Sequence, residues 1–241
     1  METERAMSFA DHAFWVALLE IIWINILLSG DNALVIALAC RSLPVRQRCW
    51  GIVLGTLPAV VLRIIFTIFI AYLLGIEYLK LIGGILLLWI AVKLILPEEQ
   101  DEHGSEQTSA ATLWAAVRTI VIADAVMSLD NVIAIAAAAK GSFVLLVLGL
   151  IISMPLVIFG SALILKILNR LPILIWAGGA LLGYIAGEVI VTDPAIAPWI
   201  EEYKWLHYAG PIIGAAATVA TGLAITRLRA QRSRNKLDVI S

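Results

Sequence analysis

Charged residues are scarce in this chain. Only 15% of its 241 residues are Asp, Glu, Lys or Arg, against about 25% in an ordinary soluble domain. The two cysteines, Cys40 and Cys49, are too few for a disulfide scaffold and match no thiolate metal motif. They are expected to be reduced and incidental, on an inner loop. The three histidines, His12, His103 and His207, fall outside the apolar runs or at their edges, which excludes a histidine metal centre inside a bilayer. A net charge of -1 gives no basic surface for nucleic acid. The first residues, METERAMSFADH, mix both signs where a signal peptide has a cationic segment. The apolar stretch behind them is too long for a signal core, so a retained first span is expected.

What the chain does have is apolar length: 61% of residues are hydrophobic and mean hydropathy is +0.97. About 20 apolar residues cross a bilayer. Seven runs qualify, at 14–40, 50–74, 78–96, 113–139, 143–167, 173–192 and 208–227. The predicted fold is therefore an all-α polytopic membrane protein with seven transmembrane helices, in one membrane domain over 1–241. An acidic loop at 97–112 and a basic tail at 228–241 complete it. Pro58 and Pro155 lie inside spans, and Trp199, Tyr203 and Trp205 suit a membrane–water boundary. Arg41, Arg46, Arg48, Lys93, Arg118, Lys166, Arg170 and the basic tail gather on one face. Arg5, Lys80, Lys140 and Lys204 lie on the other. The positive-inside rule then puts the N-terminus outside and the tail in the cytoplasm.

Two stretches stand out against this background: Asn25-Ile-Leu-Leu-Ser29-Gly-Asp31-Asn32 and Asp124-Ala-Val-Met-Ser128-Leu-Asp130-Asn131. An offset of 99 superposes them, and the match continues through Ile36/Ile135, Ala37/Ala136 and Ala39/Ala138. An offset of 95 ties Gly83-Gly84 to Gly178-Gly179, Ala91 to Ala186, Lys93 to Glu188 and Ile95 to Ile190. The chain thus reads as a 3+3 repeat, one copy at 14–96 and one at 113–192, plus a seventh helix. Three spans per copy force the copies to run in opposite directions, the inverted plan of many secondary transporters.

Each ionised side chain at a helix centre costs roughly 2.5 to 3.5 kcal/mol on insertion scales. Asp31, Asp124, Asp130, Glu188 and Glu20 together would cost on the order of 15 kcal/mol. Arg63 and Lys93 can offset part of that, and bound cations, protons or water the rest. Asn25, Ser29 and Asn32 share one helix stripe, as do Asp124, Ser128 and Asn131. Asp31 and Asp130 lie beside those stripes unless a break turns them in; Gly30 permits one, Leu129 less so. Glu20 shares the Asp31 face. Glu188 sits in Gly179-x3-Gly183-x3-Gly187, a close-packing pattern that should turn its carboxylate toward another helix. Asp31, Asn32, Asp124, Asp130 and Asn131 are the expected metal donors. Glu20, Asn25, Ser29, Ser128 and Glu188 are expected to support binding or proton coupling. Such oxygen donors suit manganese, magnesium or calcium. Met127 is more simply a core residue than a soft donor.

Ser29-Gly-Asp31-Asn32-Ala-Leu-Val-Ile-Ala and Asp124-x3-Ser128-Leu-Asp130-Asn131-Val-Ile-Ala resemble the paired motifs of the TerC family of integral membrane proteins. The resemblance covers essentially all seven spans. It implies metal homeostasis, notably manganese export from the bacterial cytoplasm across the inner membrane, a family name taken from tellurite resistance, and Asp31, Asn32, Asp130 and Asn131 as the core. The expected partners are a divalent metal ion as substrate and the bilayer, with no bound cofactor. Proton antiport is the expected coupling. The Gly-x3-Gly patterns leave open whether subunits or only internal helices pair. Two alternatives remain at this point: a membrane scaffold in metal or tellurite stress, and an amino-acid exporter. An intramembrane aspartyl protease would need Tyr-Asp and Gly-x-Gly-Asp, which the chain lacks, so no enzyme is expected.

Overall fold

A computed structural model of the chain describes residues 12–73, 75–96, 106–139 and 142–238. Among them are nine helices and no strand. In chain order these are α1 (His12–Leu28), α2 (Gly30–Cys40), α3 (Val45–Leu73), α4 (Leu79–Ile95) and α5 (Glu106–Ala138). Then come α6 (Phe143–Leu168), α7 (Ile173–Val191), the short α8 (Ala197–Glu202) and α9 (Trp205–Asp238). Five of them, α3, α5, α6, α7 and α9, are long and apolar enough to cross a membrane. A sixth span arises if α1 and α2, bent by 48° at their junction, count as one. At 17 residues α4 lies at the lower edge of spanning length.

Two boundaries differ from the sequence expectation. The stretch expected to be an acidic loop ends earlier, because α5 begins at Glu106; its part at 97–105 lies outside the described residues. The basic stretch after 227 is not a separate tail but continues α9 to Asp238. Arg, Gln, Lys and Leu there are good helix formers, so nothing local stops the helix.

The chain divides into two compact units. One holds α1, α2, α3, α5 and α6. Its core is Phe14, Leu18, Ile21, Ile135, Leu145 and Leu150, all buried. Its outer surface is apolar, with Trp15, Trp23, Ile68 and Phe159 exposed. That is the pattern of helices facing lipid rather than water. Two close approaches pin this unit. A Cβ on Gly55 would run into Ile120, and one on Gly149 into Ile21. Ile21 and Ile120 are themselves separated by the repeat offset of 99, so an equivalent isoleucine of each copy seats a glycine of the other.

The second unit holds α4, α7, α8 and α9, and here the contacts are reciprocal. Gly84 of α4 lies against Ala186 and Ile190 of α7, while Gly179 of α7 lies against Ala91 and Ile95 of α4. Each contact turns into the other under the offset of 95, and the early part of each helix meets the late part of its partner. The two helices are therefore antiparallel about a local two-fold. Small residues also seat α9: Gly187 meets the backbone of Gly210 and Pro211, and Gly214 meets the Gly183 carbonyl. Glu188, on the same helix, is exposed instead of turned onto a neighbour. The glycine stripe packs, and at i+1 from Gly187 the carboxylate points away from it.

Just past α7, the fully buried Asp193 ties this unit together. Its carboxylate accepts backbone N–H bonds from Tyr78 (3.1 Å), Leu81 (2.9 Å) and Ala195 (2.8 Å). Tyr78 caps α4 with φ of 66°, a left-handed conformation that costs a non-glycine residue about 1 kcal/mol or more. Asp193 holds it there. Burial pushes the pKa of this carboxyl up, but the amides of Leu81, Ala195, Tyr78 and Lys80 outweigh burial and leave it below the usual carboxylate range.

Because the folded carboxyl is the stronger acid, its contribution is complete above about pH 4, where the unfolded form also ionises, and is lost as pH falls toward the folded value. Thermal unfolding of detergent-solubilised protein should therefore shift to lower temperature below about pH 4, with a shallower shift in Asp193→Asn. Gly187→Ala should destabilise by about 1 to 3 kcal/mol, since the added methyl meets backbone that cannot step aside. Denaturant titration of the purified variant measures that loss.

Candidate functional site

The break between α1 and α2 falls at Ser29, whose φ of -102° and ψ of 2° leave the helical range. A broken ladder strands the Leu28 carbonyl, which in a continuous helix would accept from the Asn32 amide. That amide instead donates to Asp31 Oδ1 at 2.8 Å, so Asp31 caps the start of α2. Two side chains then serve Leu28: Asn32 Nδ2 at 3.5 Å and Asn131 Nδ2 at 3.3 Å. The asparagines of the two sequence copies thus converge on one carbonyl oxygen. The second copy does not break. α5 runs unbroken through Asp130, with Leu129 where the first copy has Gly30.

One turn deeper lies a buried ionic cluster. Arg63 of α3 reaches Asp124 of α5 with Nη2–Oδ1 at 2.5 Å. Its Nε and Nη1 donors are also placed: Nε to Ser128 Oγ at 3.1 Å, and Nη1 to Asn25 Oδ1 at 2.8 Å and more weakly to Ser29 Oγ at 3.5 Å. Ser128 Oγ donates to the other Asp124 oxygen at 3.1 Å. Asn25 Nδ2 donates to Ser153 Oγ of α6, which in turn donates to the Leu150 carbonyl at 2.9 Å. Arg63 and Asp124 are 5% and 10% exposed at the side chain, so both charges are out of solvent and matched by each other.

These residues line a small cavity of about 20 Å³, room for one water-sized occupant. Asn25, Ser29, Asn32, Thr56, Arg63, Asp124 and Ser153 give it its polar surface. Asn32 Oδ1 is buried there without a hydrogen-bond partner.

Of the expected site residues, Asn25, Ser29, Asn32 and Asp124 line this cavity, and Ser128 braces it through Arg63 and Asp124. Asp31, Asp130 and Asn131 are half-buried nearby in the chain but are not among its lining. Asp31 and Asp130, expected as metal donors alongside Asn32 and Asp124, thus fall outside this cavity: the break in the first copy leaves Asp31 bonded to the start of α2, while α5 stays continuous. Among the described residues, no three of His, Cys, Asp or Glu converge as a ready metal cage. Glu20 is exposed on α1, and Glu188 belongs to the other unit. Lys93, also in that unit, stands 5.5 Å from the Trp89 ring centre, a cation–π contact. Sequence reasoning missed Ser153. Thr56-x-Pro58 in the second run and Ser153-x-Pro155 in the fifth carry the same hydroxyl two residues before proline, and that match points to it.

The profile of the integral membrane protein TerC family matches residues 10–230. The chain belongs to that family. It is 43% identical over 213 residues to the membrane protein YjbE of Bacillus subtilis (strain 168), covering 88% of this chain and 96% of YjbE. The membrane protein YkoY of the same organism is 28% identical, with 74% of this chain and 62% of YkoY covered. The UPF0053 protein YegH of Escherichia coli (strain K12) is 27% identical over 69% of this chain, which spans only 34% of YegH. No solved structure matches the chain. The family is one of multi-pass integral membrane proteins, in keeping with the spans above.

Removing one partner of a buried ion pair strands the other, at a cost of about 3 to 5 kcal/mol. Arg63→Met should destabilise the protein by that much in denaturant titration. Replacing both charges, Arg63→Met with Asp124→Leu, should recover most of the loss. A double variant as weak as the single one would mean that packing, not charge, sets the cost.

Proposed function

We propose that this protein exports divalent metal cations, manganese(II) foremost, across the bacterial cytoplasmic membrane, by exchange for protons. The observation that carries this reading is the buried oxygen-rich cluster of Asn25, Ser29, Asn32, Asp124 and Ser128 beside a broken span. Broken helices, with half-helix ends exposed to a polar site, are the usual means by which secondary transporters hold ions at membrane depth. The donors are carboxylate, amide and hydroxyl, hard ligands that favour manganese, magnesium or calcium over copper or thiolate-bound zinc. Asn32 Oδ1, buried and without a protein partner, is a ligand atom facing the cavity.

In this reading α4 counts as a span, giving seven in two inverted copies plus α9. The seating of Gly55 on Ile120 and of Gly149 on the equivalent Ile21 supports that plan, as do the antiparallel α4 and α7. The N-terminus is outside and the end of α9 cytoplasmic, following the arginine and lysine bias. Asp31 and Asp130, half-buried at the two motifs, supply the carboxylates that exchange protons or pass the ion to and from the cluster.

Uptake into inside-out vesicles tests this directly, comparing manganese(II) with magnesium, calcium and zinc, with and without a pH gradient. Manganese uptake should be fastest and should depend on the gradient. Asp124→Asn and Asp130→Asn should each lower it by about tenfold or more, as expected when a charged group at the site is lost. Unchanged manganese uptake in Asp130→Asn vesicles would refute the role given to that residue; wild-type vesicles that move none would refute export.

A further inference from the structure

Arg63 sits where an ion should. Four of the five oxygen-bearing side chains named above already accept from or brace its guanidinium: Asp124, Asn25, Ser29 and Ser128. Only Asn32 Oδ1 stands unpartnered. A divalent cation wants about six oxygens at roughly 2.0 to 2.6 Å, and it would have to take these same atoms. The cavity of about 20 Å³ has no room for a metal beside the guanidinium with any of its hydration shell. Arginine cannot make room by losing its proton. It can only swing aside, which its long side chain permits.

We propose that Arg63 is a tethered cation that competes with the transported metal for Asp124, so that the ion pair and the metal complex exclude each other. The inference rests on the export reading above and adds what the protein does between transport cycles. With Arg63 on Asp124 the two charges balance each other, so no bare carboxylate is left in a low-dielectric site. The metal-free protein can then reorient. Metal arrival displaces the guanidinium, and metal departure lets it return. In the first copy the position equivalent to Asp124 is the uncharged Asn25, which needs no counter-charge.

Removing the competitor should therefore tighten metal binding while blocking the metal-free return. Manganese(II) binding to the purified full-length protein is followed by the spin-resonance signal of free Mn²⁺, and transport by the same protein in liposomes. Arg63→Gln should bind Mn²⁺ about tenfold more tightly than wild type, within the usual range of coupling between linked ligands. It should keep exchange of labelled for unlabelled Mn²⁺ and lose net movement. Arg63→Lys retains the charge but not the forked hydrogen bonds, so it should keep net movement and bind Mn²⁺ slightly more tightly than wild type. Should Arg63→Gln fail to fold, Arg63→Lys decides through its binding alone. Affinity unchanged or weakened in the folded variants, or exchange lost together with net movement, would overturn the proposal. Wild-type protein that neither binds nor carries Mn²⁺ would overturn the export reading along with it. Wild-type protein that does both, beside an Arg63→Gln of unchanged affinity, would remove only the role of Arg63.

Discussion

Hydrocarbon offers a polar group nothing to bond to, and the first unit is arranged around that constraint. A guanidinium and a carboxylate are placed in apolar helices and made tolerable only by mutual saturation. Asp124 takes bonds from Arg63 and Ser128, and Arg63 spends Nε and Nη1 on Ser128, Asn25 and Ser29. The pair draws α3 onto α5, and the Asn25–Ser153 bond draws α6 onto α1. The polar side chains thus do in the middle of the unit what apolar packing cannot do selectively in lipid, where every helix surface is equally at home.

Much of this was legible before any coordinates. Apolar run lengths located each long helix, because solvation in a bilayer demands backbone bonds within each segment, while polar helical extensions at the starts of α3 and α5 and the end of α9 lay beyond the apolar runs. The repeat was legible through Gly84/Gly179 and Ala91/Ala186, and the same residues turn out to form the reciprocal α4–α7 contact. Gly30 against Leu129 correctly marked which copy could break. The stripe Asn25, Ser29, Asn32 was readable from helical spacing, and three of the four hydrogen bonds its side chains make beyond the stripe go to Arg63 or to Ser153 of the other copy.

What could not be read was orientation about each helix axis. Asp31 and Asp130 look equivalent in sequence, yet one caps a broken helix and the other rides a continuous one. Glu188 was expected to turn inward because it is embedded among packing glycines. A helix stripe is only about a third of its circumference, and the carboxylate fell on the remainder. Division of the chain into units that each mix both copies is likewise a matter of packing, not of order along the sequence.

The Leu28 carbonyl has a further implication. Oxygen has two lone pairs, and here each receives an amide from a different copy of the motif, Asn32 and Asn131. One amide comes from the bent element itself and the other from α5, so the bend is latched to a neighbouring helix: α1 and α2 cannot straighten into one rod without first letting go of α5.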